Sequence, residues 1–286
     1  MPETQQIPSP SLSLLRAFRQ AWTIYRSNFL AILGIVFTVL IPVYGLAYLW
    51  PGARQSDIFA ASDLEDNRLL RLGIALFLAY LSGFAALAIH ALVARLLEQQ
   101  TAGAKTALLK AFSVWKGYLK TELLLVLFLT LLGVAGFLGM FAFSVGTTFT
   151  YYFLHTPSLS VSAARQLFVA GAIALPCIFL VRWMLIKPLI VLRGRSGLSA
   201  LRESKHLVRL AWWKMAALLV IILGSSFLVT YGFHFAGVAF GFGYFLSLLT
   251  SLLWGILNSY LVVVLTVVFL QLEKIQSVLP VPPEKA

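Results

Sequence analysis

The chain has 286 residues, 60% of them hydrophobic and 11% charged, and its 22 Lys and Arg against 10 Asp and Glu give a formal net charge of +12. The charged share is less than half of the roughly 25% usual in soluble domains, so a water-soluble fold is excluded: it could not hide that much apolar surface. The single cysteine, Cys177, excludes an intramolecular disulfide and a thiolate metal cluster. The apolar residues gather in runs of about 20, the length a helix needs to cross hydrocarbon. The alternating ten-residue segments of a membrane barrel do not occur.

In chain order, residues 1–12 read as a flexible tail. Leu14, Phe18, Ala21, Trp22, Tyr25 and Phe29 then recur at three- and four-residue spacing, with Arg16, Arg19, Gln20, Thr23 and Arg26 on the other face. That pattern predicts an amphipathic helix lying in the membrane interface. The first apolar run, 29–50, is too long for a signal-peptide core and lacks a following cleavage site, so it reads as a retained span. A second span is expected at 72–94. Between them, Asp57, Asp63, Glu65 and Asp66 form the acidic cluster, which reads as a solvated loop or a helix start capped by Ser62, because it lacks the glycine and ligand spacing of a calcium loop.

The segment LLKAFSVWKGYLK resembles the earlier LLRAFRQAW and sets Leu108, Phe112, Trp115 and Leu119 against Lys110, Ser113, Lys116 and Lys120. Spans at 123–144 and 167–186 follow it. A third amphipathic segment, 199–215, sets Leu201, Val208, Ala211, Trp212 and Met215 against Arg202, Lys205 and Arg209, and precedes spans at 215–236 and 244–270. Pro42 and Pro176 fall within spans and predict kinks. Gly237, Gly241 and Gly243 read as a tight connection between the last two spans. Aligning Arg16, Lys110 and Arg202 gives spacings of 94 and 92 residues. The expected fold is therefore all-α and polytopic: six transmembrane helices as three repeats of interfacial amphipathic helix plus transmembrane hairpin. The units are 13–98, 106–192 and 199–272 in one domain spanning 13–273, followed by a Pro-rich tail at 274–286. The plainer alternative makes the amphipathic segments basic loops. Their aromatic residues favour helices, with Trp22, Tyr25, Trp115, Tyr118, Trp212 and Trp213 as anchors at headgroup level.

The loops on one side hold Arg54, Arg68, Arg71 and Arg165 with the four acidic residues above, leaving 18 basic and 6 acidic residues for the other side. The positive-inside rule makes that basic side cytoplasmic, with both termini on it, in a cell inner membrane. Because the positive charge flanks apolar spans and forms no soluble domain, nucleic acid is not the expected partner. The phospholipid bilayer and its anionic headgroups are, and a membrane or envelope protein is a second kind of partner the reading admits.

No catalytic constellation is present. His90, His155, His206 and His234 are widely separated and no HExxH or GxSxG pattern occurs, so no catalytic residue, metal site or cofactor is expected. Intramembrane polar groups invite a functional question: Asn258 falls near the middle of the last span, while Arg182 and His90 lie near cytoplasmic span ends. The favoured site is RGRSGLSALR, where Arg193, Arg195 and Arg202 surround a helix start marked by Ser196 or Ser199, an arrangement suited to a lipid phosphate. A positive-inside loop with a helix cap is the plainer reading of the same residues.

Residues 182–215 read RWMLIKPLIVLRGRSGLSALRESKHLVRLAWWKM. This resembles the signature of a prokaryotic six-span inner-membrane family that includes the membrane domain fused to some glycerophosphodiester phosphodiesterases, through Pro188, Val191, Gly194, Ala200, Leu201, Ser204, Leu207 and the Trp212–Trp213 pair. The resemblance implies membrane topology and a link to lipid metabolism. It carries no catalysis, because the phosphodiesterase chemistry belongs to a separate soluble domain for which this chain has no room. The expected function is a non-enzymatic role in lipid or envelope homeostasis. Alternatives are a small transporter or lipid-moving protein with a cavity lined by Asn258, Thr130 or Ser82, and an accessory or immunity subunit.

Overall fold

The computed structural model describes residues 12–49, 68–100, 103–154, 176–240 and 243–278, and among these it consists of helices and short turns with no strand. Three short amphipathic helices each break before a long apolar one. Helix α1 (Leu14–Ser27) is started by Ser13, whose hydroxyl accepts from the Arg16 amide at 3.4 Å, and ended by Asn28, whose backbone and side-chain N–H groups both donate to the Ile24 carbonyl. Closing the carbonyls there turns the chain by 79° into α2 (Phe29–Leu49), which stays helical through Pro42. After α3 (Arg68–Leu97), α4 (Ala104–Ser113) breaks at Val114 before α5 (Trp115–Leu154). Helix α6, described over 176–183, leads through a turn to α7 (Ile186–Arg193) and then α8 (Leu198–Arg209). The chain ends with α9 (Trp212–Phe240) and α10 (Gly243–Val278), two residues apart.

Among the described residues four helices are long and apolar enough to cross a membrane, or five if the bent pair α1–α2 is one span. Most of the expected span 167–186 lies outside the described residues; its last part is broken at 184–185, where α6 gives way to α7. Two expected boundaries also move. Leu12, assigned to the tail, is buried and its carbonyl accepts a hydrogen bond from the Lys214 ammonium. Helix α10 continues to Val278, past the expected start of the C-terminal tail.

The core lies where the amphipathic helices wrap the C-terminal halves of α3 and α10. Helix α1 packs on α10, α4 on α3, and α7 on α3 with α8 against it. The faces that dock carry small residues four apart: Ala17 and Ala21 on α1, Ala107 and Ala111 on α4, Ala200 and Ser204 on α8, all buried. Small side chains let helices approach closely, which is how helices associate where lipid removes the hydrophobic drive. These helices therefore present their small-residue faces to protein, whereas the periodicity of Phe and Trp pointed to lipid. The helix breaks fall twelve residues after Arg16, four after Lys110 and eight after Arg202, so the 94- and 92-residue spacings do not superpose them. A shift of 183 residues aligns Ala17, Ala21 and Tyr25 with Ala200, Ser204 and Val208, all buried, and aligns the break before α2 with the break before α9.

Candidate functional site

The loop from Arg193 to Leu198 is shaped by two glycines. Gly194 ends α7 at φ +65° and Gly197 precedes α8 at φ +64°, a region costly for any residue with a Cβ. The Gly197 amide donates to Thr121 Oγ1 on α5 at 2.8 Å, which pins the loop to a long helix. This geometry removes the expected serine caps. Ser199 is exposed and its hydroxyl donates to the Ser196 carbonyl, and α8 starts without a side-chain cap.

Arg193 is not free to hold a phosphate. Its Nε donates to Glu273 Oε1 at 2.5 Å and its Nη1 to Glu203 Oε1 at 2.6 Å, tying α7 to α10 and α8. Desolvation, the largest influence, works against its charge, but the bonds and fields of Glu273 and then Glu203 outweigh it, so its pKa rises above the ordinary guanidinium value. Arg195 lies 3.4 Å from the other Glu203 oxygen and is 60% exposed. Arg202 is exposed and makes no hydrogen bond or ion pair among the described residues. Sequence reasoning counted the arginines of this stretch as one cluster; the structure gives Arg193 two carboxylates, Arg195 one and Arg202 none.

Arg182 is placed differently again. The Ser204 hydroxyl donates to its carbonyl at 2.7 Å, and its guanidinium carbon sits 5.9 Å from the Phe179 ring centre and 6.0 Å from that of Trp212. Behind it, Phe128, Phe179 and Trp183 pack with ring centres 4.9–5.1 Å apart.

His90 is buried, with Nδ1 2.7 Å from Thr266 Oγ1. Because the Thr266 hydroxyl donates to the Val262 carbonyl at 2.9 Å, it accepts from the ring, which assigns the proton to Nδ1 and makes the pair a helix tie. Asn258 is half-buried and lines a cavity of about 20 Å³ with Ser82, Ser259 and Trp254 where α2, α3 and α10 meet, room for about one water molecule. Thr130 is exposed and does not line it.

The expected anchors divide into two groups. Trp22 and Trp213 are 55% and 83% exposed, and Trp115 and Trp212 are half-buried. Tyr25 and Tyr118 are instead buried, because each phenol has a partner within the protein. Tyr25 donates to the Ile256 carbonyl at 3.1 Å and lies 3.0 Å from Ser259 Oγ. Tyr118 stacks on Tyr80 at 5.2 Å and sends its hydroxyl over Gly83, where an added Cβ would lie 1.6 Å from the oxygen. Glu122 is beside that hydroxyl, and Lys187 Nζ is 3.5 Å from the same Cβ position. Sequence reasoning did not find this polar cluster: Tyr118 and Glu122 are four residues apart on α5, but no spacing along the chain relates them to Gly83 on α3 or Lys187 on α7.

The acidic cluster at 57–66, Ser62, His155 and Arg165 lie outside the described residues, as does the His234 side chain. Among the described residues no three His, Cys, Asp or Glu side chains gather to hold a metal. Family models, curated proteins and solved structures give no match to this chain. Fold and site together define an all-α, multi-pass membrane protein. Its amphipathic helices carry a basic, aromatic-bearing surface.

Proposed function

We propose that this is a non-enzymatic protein of a prokaryotic inner membrane, with both termini cytoplasmic, that binds anionic phospholipid in lipid or envelope homeostasis. One observation carries the reading: exposed apolar side chains stand among cations on the amphipathic helices and the breaks after them. Leu15 and Trp22 accompany Arg16, Arg19 and Arg26; Leu109 and Phe112 accompany Lys105 and Lys110; Leu198 and Trp213 accompany Arg202, Arg209 and Lys214. At a membrane interface the apolar groups enter the acyl boundary while each cation near the anionic surface contributes about 1 kcal/mol. The likeness of residues 182–215 to the membrane domain of glycerophosphodiester phosphodiesterases belongs to this proposal, as does the descent of the three helix pairs from one repeated unit.

The test is to reverse Arg202 and Lys205 to Glu and to quantify co-purified lipid. Anionic phospholipid should fall relative to wild type in a protein that still inserts, and an unchanged amount would remove the proposal. For orientation, a cysteine at Ser13 should resist an impermeant thiol reagent in intact cells while cysteines at Ser62 and Ser158 react. A second reading, transport, draws on the Asn258 cavity, whose neutral hydrogen-bonding side chains suit a small uncharged solute. Its size of about one water requires that α2 move away from α10 for passage, so a helix-to-helix crosslink there should abolish uptake if transport is the function.

A further inference from the structure

Arg182 is a half-buried planar cation whose guanidinium carbon lies over two aromatic rings. Phe179 and Trp212 take the guanidinium at 5.9 and 6.0 Å. Its guanidinium carries five N–H donors, and they make no hydrogen bond or ion pair with an acceptor among the described residues. Arg193, eleven residues later, shows what such donors require, since two carboxylates meet them at 2.5 and 2.6 Å. Among the described residues Arg182 has no such carboxylate. The Ser204 bond to its carbonyl and the packing of Phe179 on Trp183 hold this arrangement in place.

The surroundings select the anion. A guanidinium fork matches paired phosphate oxygens, and contact with two aromatic rings restricts its motion before a ligand arrives. Next to the fork is an apolar platform: Phe128 packs edge-on against Phe179 and Trp183 and is 37% exposed on α5, a helix whose outer side is lined by Leu123, Leu127 and Leu131. An ion-binding edge beside a surface for acyl chains suits an amphiphile.

We propose that Arg182, held beside Phe179 and Trp212, clamps the phosphate of one phospholipid molecule whose chain lies over Phe128. This rests on the lipid-binding reading above and adds to it a stoichiometric site at a residue distinct from the exposed basic surface.

The experiment uses the full chain in uncharged detergent, with native mass spectrometry and titration of dihexanoyl phosphatidylglycerol. Wild type should retain one phosphatidylglycerol, and Arg182→Gln should weaken it by about tenfold or more, as loss of hydrogen bonds to a charged group does. Arg182→Lys and Trp212→Leu keep a cation but lose the fork or one flanking ring, and both should weaken it by a smaller factor. They also carry the test if Arg182→Gln does not insert; unchanged retention in both overturns the clamp. Inorganic phosphate at equal concentration should not displace the lipid, and equal displacement would assign the site to free phosphate and overturn the lipid assignment. If Arg182→Gln retains lipid like wild type while the Arg202→Glu/Lys205→Glu variant loses it, the clamp fails and the broader function stands. If wild type retains no anionic lipid, both fail.

Discussion

Helices α3 and α10 and helices α5 and α9 are all apolar enough to span a membrane, yet they live in different surroundings. In an 18-residue apolar stretch of each, 61% of the residues are buried in α3 (Tyr80–Leu97) and 56% in α10 (within Leu253–Val278), against 6% in α5 (within Trp115–Gly136) and 11% in α9 (Trp212–Val229). Hydrophobicity cannot make that choice, because a leucine gains nothing by leaving lipid tails for other leucines. Shape and polarity make it. The inner pair offers small residues for close approach, Gly83, Ala85, Ala86 and Ala88, and hydroxyls with partners, Ser259 and Thr266. The outer pair presents Leu127, Leu131, Phe141, Leu223 and Phe227 outward.

That contrast can be broken by substitution. Phe269, fully buried on α10, should cost about 3–5 kcal/mol when changed to Ala, the range for large core truncations, measured by unfolding of the purified protein in mixed micelles. Gly83→Ala places a methyl group against the Tyr118 ring and should cost about 1–3 kcal/mol by overpacking, with partial recovery in Gly83→Ala/Tyr118→Phe. Arg193→Gln frees Glu273 and leaves Glu203 with Arg195 alone on a half-exposed surface; the expected loss is about 1 kcal/mol at low salt, smaller in 1 M salt, and a salt-independent loss would mean packing and not charge holds α7 to α10. Asn258→Leu should change stability by no more than about 2 kcal/mol and leave insertion intact. Abolished cellular function in that well-inserted variant would favour transport. At the outer helices the effect should vanish: Gly133 has open space around its Cβ position, so Gly133→Ala should leave the midpoint unchanged or raise it through helix propensity, and a loss as large as that of Gly83→Ala would mean that α5 packs against a partner.

Much of the helical layout was legible in residue order. The segment 14–28 is α1 with its cap, the runs at 29–50 and 72–94 lie within a residue of α2 and inside α3, and the expected connection falls between α9 and α10, two residues apart, although Gly237 lies within α9 and Gly243 begins α10. What was not legible depends on contacts between distant parts. Ala17 and Ala21 look unremarkable beside Phe18 and Trp22, yet they make the docking face, because in a crowded membrane bundle the small residue decides where backbones meet. Tyr25 and Tyr118 have the composition of headgroup anchors and are buried, since Ser259 and Gly83 receive them. Arg193 looked like a free cation because its carboxylates are 10 and 80 residues away, and Arg182 looked like an ordinary span-end arginine because a sequence does not show two rings closing on it.

The pairing of α1 with α10 also sets a schedule for biogenesis. Tyr260 donates to the Phe18 carbonyl across 242 residues, and Tyr25 reaches Ser259 across 234. Helix α1 thus has its partner on a helix made well over 200 residues later, and at roughly 5–20 residues per second that partner follows it by about 10–50 s. On the lipid-surface reading proposed above, α1 stays next to the bilayer through that interval without crossing it. Its arginines keep it from inserting and Leu15 and Trp22 keep it from leaving, so the side chains that stay exposed in the finished protein are the ones that hold the nascent helix at the surface until its berth is made.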